Sequence, residues 1–269
     1  MLRSIRPLTL TGVVLVSATM LAQGRGASPA PASGRALAPV DFTGYWVAVV
    51  TEDWRYRMVM PLKGDYGSVP LTAEGKRVAD TWQPQQAGRC EAYGIGAGMR
   101  APGRLHIAWE DDNTLRVETD AGQQTRHLRF TAAPVATSAP TSAPSWQGSS
   151  VAKWDGPPDV IDVLRTGGFD ALNQGTTAAA RRLAWTPLKV VTTNFRAGWL
   201  RPNGVPYSTQ SIVTEHFMRY AVPDSGEWLT VRIVVDDPLY LVQPFMVSTN
   251  FKREPDGSKW KPRPCRDQP

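Results

Sequence analysis

Hydrophobic character alternates with a period of two along most of this chain. Trp46, Ala48, Val50, Trp54, Tyr56 and Met58 share one parity, while Val47, Val49, Asp53, Arg55 and Arg57 share the other. Alternation of this kind places unlike side chains on the two faces of a β-strand, because successive Cβ atoms point to opposite sides. It predicts a first strand region running from 46 towards 58. Further strands are predicted over 104–110, 115–120, 125–132, 148–154, 188–195, 211–222, 227–236 and 245–253. Asp111-Asp112-Asn113, Asp120-Ala121-Gly122 and Pro223-Asp224-Ser225-Gly226 supply turn chemistry between neighbours. Strands joined this closely make an all-β, antiparallel, up-and-down arrangement. One short helix breaks the period, over 72–83, with Thr72 as N-cap, Val78, Ala79 and Trp82 at helical spacing, and Pro84 as its stop.

The chain has 269 residues, of which 23 are Gly and 23 Pro, enough punctuation for many turns and too little for a collagen or a disordered chain. Residues 1–24 carry Arg3 and Arg6 ahead of the apolar stretch Leu8 to Leu21 and end in Ala22-Gln23-Gly24. This is the pattern of a cleaved signal peptide, so a periplasmic or secreted protein with no stable membrane span after cleavage is expected. Residues 25–39, rich in Ala, Ser, Pro and Gly, are expected as a disordered linker. A single domain over 40–269 then follows, interrupted by a low-complexity flexible loop at 133–145 and by an irregular insertion or lid at 155–187. Losing Arg3 and Arg6 lowers the net charge from +6 to +4, and the remaining charges are scattered. A nucleic-acid partner, which needs a clustered basic face, is not expected. Export also places the two cysteines, Cys90 and Cys265, in an oxidising compartment, where a single disulfide is predicted.

Asp41-Phe42-Thr43-Gly44-Tyr45-Trp46 resembles the Gly-x-Trp start of lipocalin-like (calycin) barrels, in which the Trp plugs the closed end. Four further stretches resemble a large, mostly uncharacterised family of exported bacterial proteins. They are Leu71 to Gly75, Ser150 to Asp155 followed by Leu188 to Thr193, Asn203 to Ser208, and Asp236 to Tyr240. The resemblance implies a secreted, lipocalin-like β-barrel and brings no established reaction. In that family the strand ending in Trp-Glu-Gly runs through a tight turn into the next strand. Here Trp154-Asp155-Gly156 leads into the 155–187 excursion instead.

A barrel can enclose one small ligand, and ten Trp with seven Tyr suit a flat or hydrophobic molecule. Trp54, Tyr56, Trp109 and Trp228 alternate so as to line such a cavity, with Arg57, Arg129 and Arg232 as cationic contacts. Binding of a small hydrophobic or aromatic molecule is the leading expectation. The rival is a cofactor-free lyase or isomerase, with Asp53, Glu118, Glu215 and His127 as acid/base candidates and arginine holding an anionic group. His216 is expected to face the core in preference to Glu215, because its parity partners Met218, Tyr220 and Val222 are the more apolar set. His106, His127 and His216 show no local metal spacing, so no metal is assigned. Ser150-Val151-Ala152-Lys153 matches Ser-x-x-Lys but lies on a predicted strand. Gly94 to Gly98 lacks the flanking elements of a phosphate loop.

Overall fold

A computed structural model describes residues 32–131, 143–156 and 186–266. The expected signal peptide, most of the 133–145 loop and most of the 155–187 insertion lie outside these residues. Nine strands close into a barrel: β1 (Gly44–Val49), β2 (Arg104–Asp111), β3 (Thr114–Thr119), β5 (Gln124–Phe130), β6 (Ser149–Trp154), β7 (Leu188–Thr193), β10 (Ile212–Val222), β11 (Gly226–Asp236) and β12 (Phe245–Glu254). Between them in sequence lie β4 (Ala121–Gly122), β8 (Gly198–Arg201) and β9 (Val205–Tyr207). A last short strand, β13 (Arg263–Pro264), pairs in parallel with β4, and β8 pairs with β9. The helices α1 (Trp54–Arg57), α2 (Ala73–Ala79) and α3 (Ile95–Gly98) are short.

Around the ring the strands follow one another in sequence order, and every neighbouring pair is antiparallel except β5 with β6. The expected purely antiparallel meander is therefore corrected to a mixed barrel. Parity requires this, since a ring of antiparallel neighbours must hold an even number of strands and this one has nine. A parallel pair needs a connection of about a dozen residues or more to return to the starting end. The low-complexity stretch between Phe130 and Ser149 supplies that length. The 155–187 insertion, by contrast, sits on a direct hairpin: Trp154 pairs with Leu188, and the Asp155 amide donates to the Pro187 carbonyl at 2.9 Å.

Inward positions fill the barrel with Trp46, Leu105, Ile107, Val117, Leu128, Val190, Phe217, Val231, Ile233 and Phe251, all fully or nearly fully buried. At the end where β1 begins, the Trp46 indole N–H donates to the Phe42 carbonyl at 2.9 Å, and the Arg253 guanidinium lies 5.6 Å from the centre of its ring. Gly44 adopts φ +116°, and a side chain there would also press on Arg253. That combination explains the glycine of Gly-x-Trp by local geometry.

Residues 32–39, expected as part of an unstructured linker, instead close this end. The Trp154 indole donates to the Gly34 carbonyl at 2.8 Å, the Gly34 amide donates to Asn113 Oδ1 at 2.8 Å, and Leu37, Ala38 and Val40 pack on the core. Burying these apolar side chains offsets the entropy lost in ordering residues 32–39.

The opposite end is covered by the excursion 50–103 and by the β8–β9 hairpin, which the period-two reading missed. Helix α2 starts at Thr72 as predicted, with its hydroxyl accepting from the Gly75 amide at 3.0 Å. Cys90 and Cys265 form the expected disulfide, tying this cover to the C-terminal segment. No helix among the described residues is long and apolar enough to cross a membrane.

Candidate functional site

The strand predicted over 46–58 ends at Val49. Asp53 takes φ +49° and opens helix α1 in place of more strand. Left-handed backbone at a non-glycine residue breaks a strand, and aspartate is among the residues that tolerate it. Trp54 is thereby turned outward and 63% exposed, so it does not line the barrel. Arg57 is turned inward and buried, on top of the barrel mouth. Its Nε donates to the Arg100 carbonyl at 2.9 Å, its Nη2 donates to Thr249 Oγ1 on β12 at 2.9 Å, and its Nη1 pairs with Glu52.

Two further arginines join Arg57 around a half-open cleft of about 220 Å³. Arg100, which follows α3, pairs with Asp53 through Nη2 at 2.9 Å, and its buried Nη1 has no hydrogen-bond partner among the described residues. Arg201, at the end of β8, lies 3.8 Å over the Tyr56 ring and donates to the Gly67 carbonyl at 2.6 Å and to Ser68 Oγ at 2.8 Å. Its Nε is also without a partner. Apolar lining comes from Met60, Ala92, Ala97 and Leu200. Burial holds the Arg57 guanidinium below the usual arginine pKa, against the pull of Glu52 and with the help of Arg100. Burial and then Arg100 do the same to Arg201. Three guanidinium groups thus face Glu52 and Asp53, each already paired, with Asp65 also acting on Arg201 while it pairs with Arg55. The protons on Arg57 and Arg201 cost more to hold than they would in water, so an anion entering the cleft relieves the repulsion among the arginines.

Sequence reasoning found Asp53, Tyr56 and Arg57 of this cluster but took all three from a strand that is not there. It missed Arg100, in an irregular segment after α3, and Arg201, at the end of the short strand β8, where too few residues alternate to mark a facing direction.

Inside the barrel, Glu215 is inward and fully buried, which overturns the expectation that His216 faces the core. Arg126 on β5 reaches across to it, with Nη2 to Oε2 at 2.5 Å and Nη1 to Oε1 at 3.1 Å. Ser150 and Thr192 bond to each other at 2.9 Å on the intervening strands β6 and β7, so one side of the interior is polar. Glu215 was singled out from the sequence; Arg126 was not. Phe217, inward two residues later, shows why hydrophobic parity misled: the inward face mixes a charge with aromatics, while the outward face carries Met218 and Tyr220 as half-buried surface.

The other candidates disperse. Glu118 lies on the outer face, paired with His106 at 2.8 Å, and His127 lies there too, 3.2 Å from Glu110. Arg129 and Arg232 are exposed on outer faces, and Trp228 is outside with its indole donating to Ser225 Oγ at 3.0 Å. Trp109 packs against Phe130 near the plugged end, with ring centres 5.5 Å apart. These residues form no single cavity with Asp53, Trp54 and Tyr56. Lys153 is exposed while Ser150 is buried, so Ser-x-x-Lys is split between two faces. The glycines of 94–98 serve close packing, since a side chain on Gly94 would collide with the Tyr207 hydroxyl. No cluster of three metal-ligating side chains occurs among the described residues. No protein family, curated protein or solved structure matches the chain.

Proposed function

We propose that this chain is an exported, lipocalin-like barrel protein that binds a small molecule through an anionic group, at the arginine cleft in the cover over one barrel end and not within the barrel. The observation that carries the proposal is the trio Arg57, Arg100 and Arg201 around one cleft, with a buried Arg100 Nη1 that has no acceptor. Guanidinium forks suit carboxylate and phosphate, and the Tyr56 and Leu200 walls suit a flat or apolar part. Sites for drug-sized ligands span about 300–1,000 Å³, so a cleft of about 220 Å³ fits a ligand, or a ligand head, of modest size. The expected preference for hydrophobic or aromatic molecules is thus narrowed to those bearing a negative charge. The acid/base alternative is less favoured by the disposition of its residues: Glu215 is sealed in the core and Glu118 and His127 lie on outer faces, which leaves Asp53, paired with Arg100, as the one of its four carboxylate and histidine candidates beside the cleft. Export fits the single disulfide, which persists in an oxidising compartment.

Titration calorimetry with phenyl phosphate against the neutral analogue benzyl alcohol tests the reading. Phenyl phosphate should bind and benzyl alcohol should not, and Arg100→Gln should weaken the former by about tenfold or more, the scale of one charge-assisted hydrogen bond. Equal binding of both probes, or of neither, would refute it.

A further inference from the structure

Of the large apolar side chains left exposed among the described residues, five fall within one stretch of nine residues: Trp54, Met58, Val59, Met60 and Leu62. They are 48–78% exposed, in a segment that also contains helix α1. Carboxylates bound the stretch: Asp65 pairs with Arg55, Glu52 with the buried Arg57 and Asp53 with Arg100, so here, among the described residues, Lys63 and, in the cleft, Arg201 are the cations without a carboxylate partner. Soluble surfaces rarely gather this much apolar side chain without an occupant. Met60 belongs to the exposed stretch and also lines the arginine cleft, so the two features share an edge. The cleft has room for a head group and none for a long tail, while the apolar stretch beside it offers a surface that a tail, or the medium around a tail, would cover.

From this juxtaposition we infer that the protein docks on an anionic lipid bilayer, with segment 54–62 seated in the interface and the Arg57, Arg100 and Arg201 cleft holding a lipid head-group phosphate. The inference rests on the anion-binding reading of that cleft and names its ligand class. Composition selects lipid over a protein partner. An exposed Trp with Met, Val and Leu, next to Lys63 and to the arginine cleft, is the make-up of a segment that lies in a membrane surface, where the indole sits at head-group depth and unpaired cations meet anionic lipid.

Sedimentation with vesicles tests it, using phosphatidylglycerol and phosphatidylcholine in equal parts against phosphatidylcholine alone. Calorimetry with free glycerol phosphate runs alongside. The triple variant Met58→Ser, Val59→Ser, Leu62→Ser alters exposed positions outside the cleft, and its thermal unfolding checks the fold. Wild type should sediment with the anionic vesicles only. The triple variant should lose about tenfold or more in vesicle partitioning while keeping its affinity for glycerol phosphate. Arg100→Gln should lose both. Sedimentation of the triple variant at the wild-type level would overturn the inference. Glycerol phosphate binding by a wild-type protein that never sediments would also overturn it, leaving the cleft reading intact. Vesicle binding without any glycerol phosphate binding, and unaffected by Arg100→Gln, would sink the cleft reading and the head-group assignment together. A fall in sedimentation coefficient of the triple variant without vesicles would make the segment a contact between copies of the chain and refute lipid docking.

Discussion

Glu215→Gln tests how the barrel interior is held. The change keeps shape and most hydrogen-bonding capacity but removes the negative charge facing Arg126. The two side chains are 0% and 2% exposed, so no water replaces the lost partner, and Arg126 Nε already lacks one. Breaking one side of a buried pair costs about 3–5 kcal/mol, because an uncompensated charge stays in the core. For a chain of this size, each kcal/mol shifts the unfolding midpoint by about 2–4 °C, so a fall of about 6–20 °C is expected by calorimetry at neutral pH. The double variant Arg126→Met, Glu215→Leu removes both charges and should recover to within about 1 kcal/mol of wild type, since apolar replacement of a whole buried pair is often neutral. A loss below about 1 kcal/mol for Glu215→Gln would show that the pair is not sealed from solvent. A double variant as damaged as the single one would show that the pair contributes more than mutual neutralisation.

Replacing both Cys90 and Cys265 by Ser opens a link between residues 175 apart, worth about 5 kcal/mol in the chain-entropy account. The midpoint should fall, and hydrogen exchange should rise first around Arg263–Pro264, which pair with Ala121–Gly122. Asp237 accepts from the Ser208 and Ser211 hydroxyls and from the Ser208, Leu239 and Tyr240 amides, so Asp237→Ala should cost about 3 kcal/mol or more in denaturant unfolding. Burial alone would raise the pKa of this carboxyl, but the hydrogen bonds outweigh it and hold it below its ordinary 3.8. Its contribution is therefore complete above about pH 4 and is lost as pH falls through the lowered value, a decline that Asp237→Asn should remove. His216 titrates below its ordinary 6.5, through burial first and then Arg232 and Lys189, with Asp155 opposing. The unfolded chain binds this proton more readily, so stability falls as pH drops below 6.5. His216→Gln should flatten the change in midpoint between pH 7.5 and 5; an unaltered slope would refute the assignment.

Alternation with turn chemistry placed β2, β3, β5, β6, β7, β10, β11 and β12 to within a residue or two, because strand geometry and hairpin turns are local properties of a few neighbouring residues. The Thr72 cap and the Cys90 to Cys265 pairing were readable for the same kind of reason, one from hydrogen-bonding capacity within a turn and one from the count of thiols. Closure into nine strands, and the parallel contact it forces, belongs to the whole ring and to no segment of it. The inward face of β10 was decided by tertiary structure too. A period of two says that Glu215 and His216 point apart and never which points in, and Arg126 on a distant strand is what makes the charged one tolerable inside. Trp54 to Arg57 show the same limit, since one left-handed residue, Asp53, converts an expected strand into a helix that exposes Trp54 and buries Arg57. Arg100 and Arg201 meet that arginine only because the segment after α3 and the β8–β9 hairpin, far apart in sequence, converge over the barrel mouth. The sequence by itself determined strands, turns, cap and disulfide, all set by short-range sterics and chemistry. The cleft came from long-range packing, which alone brings like charges together and leaves a buried donor without an acceptor.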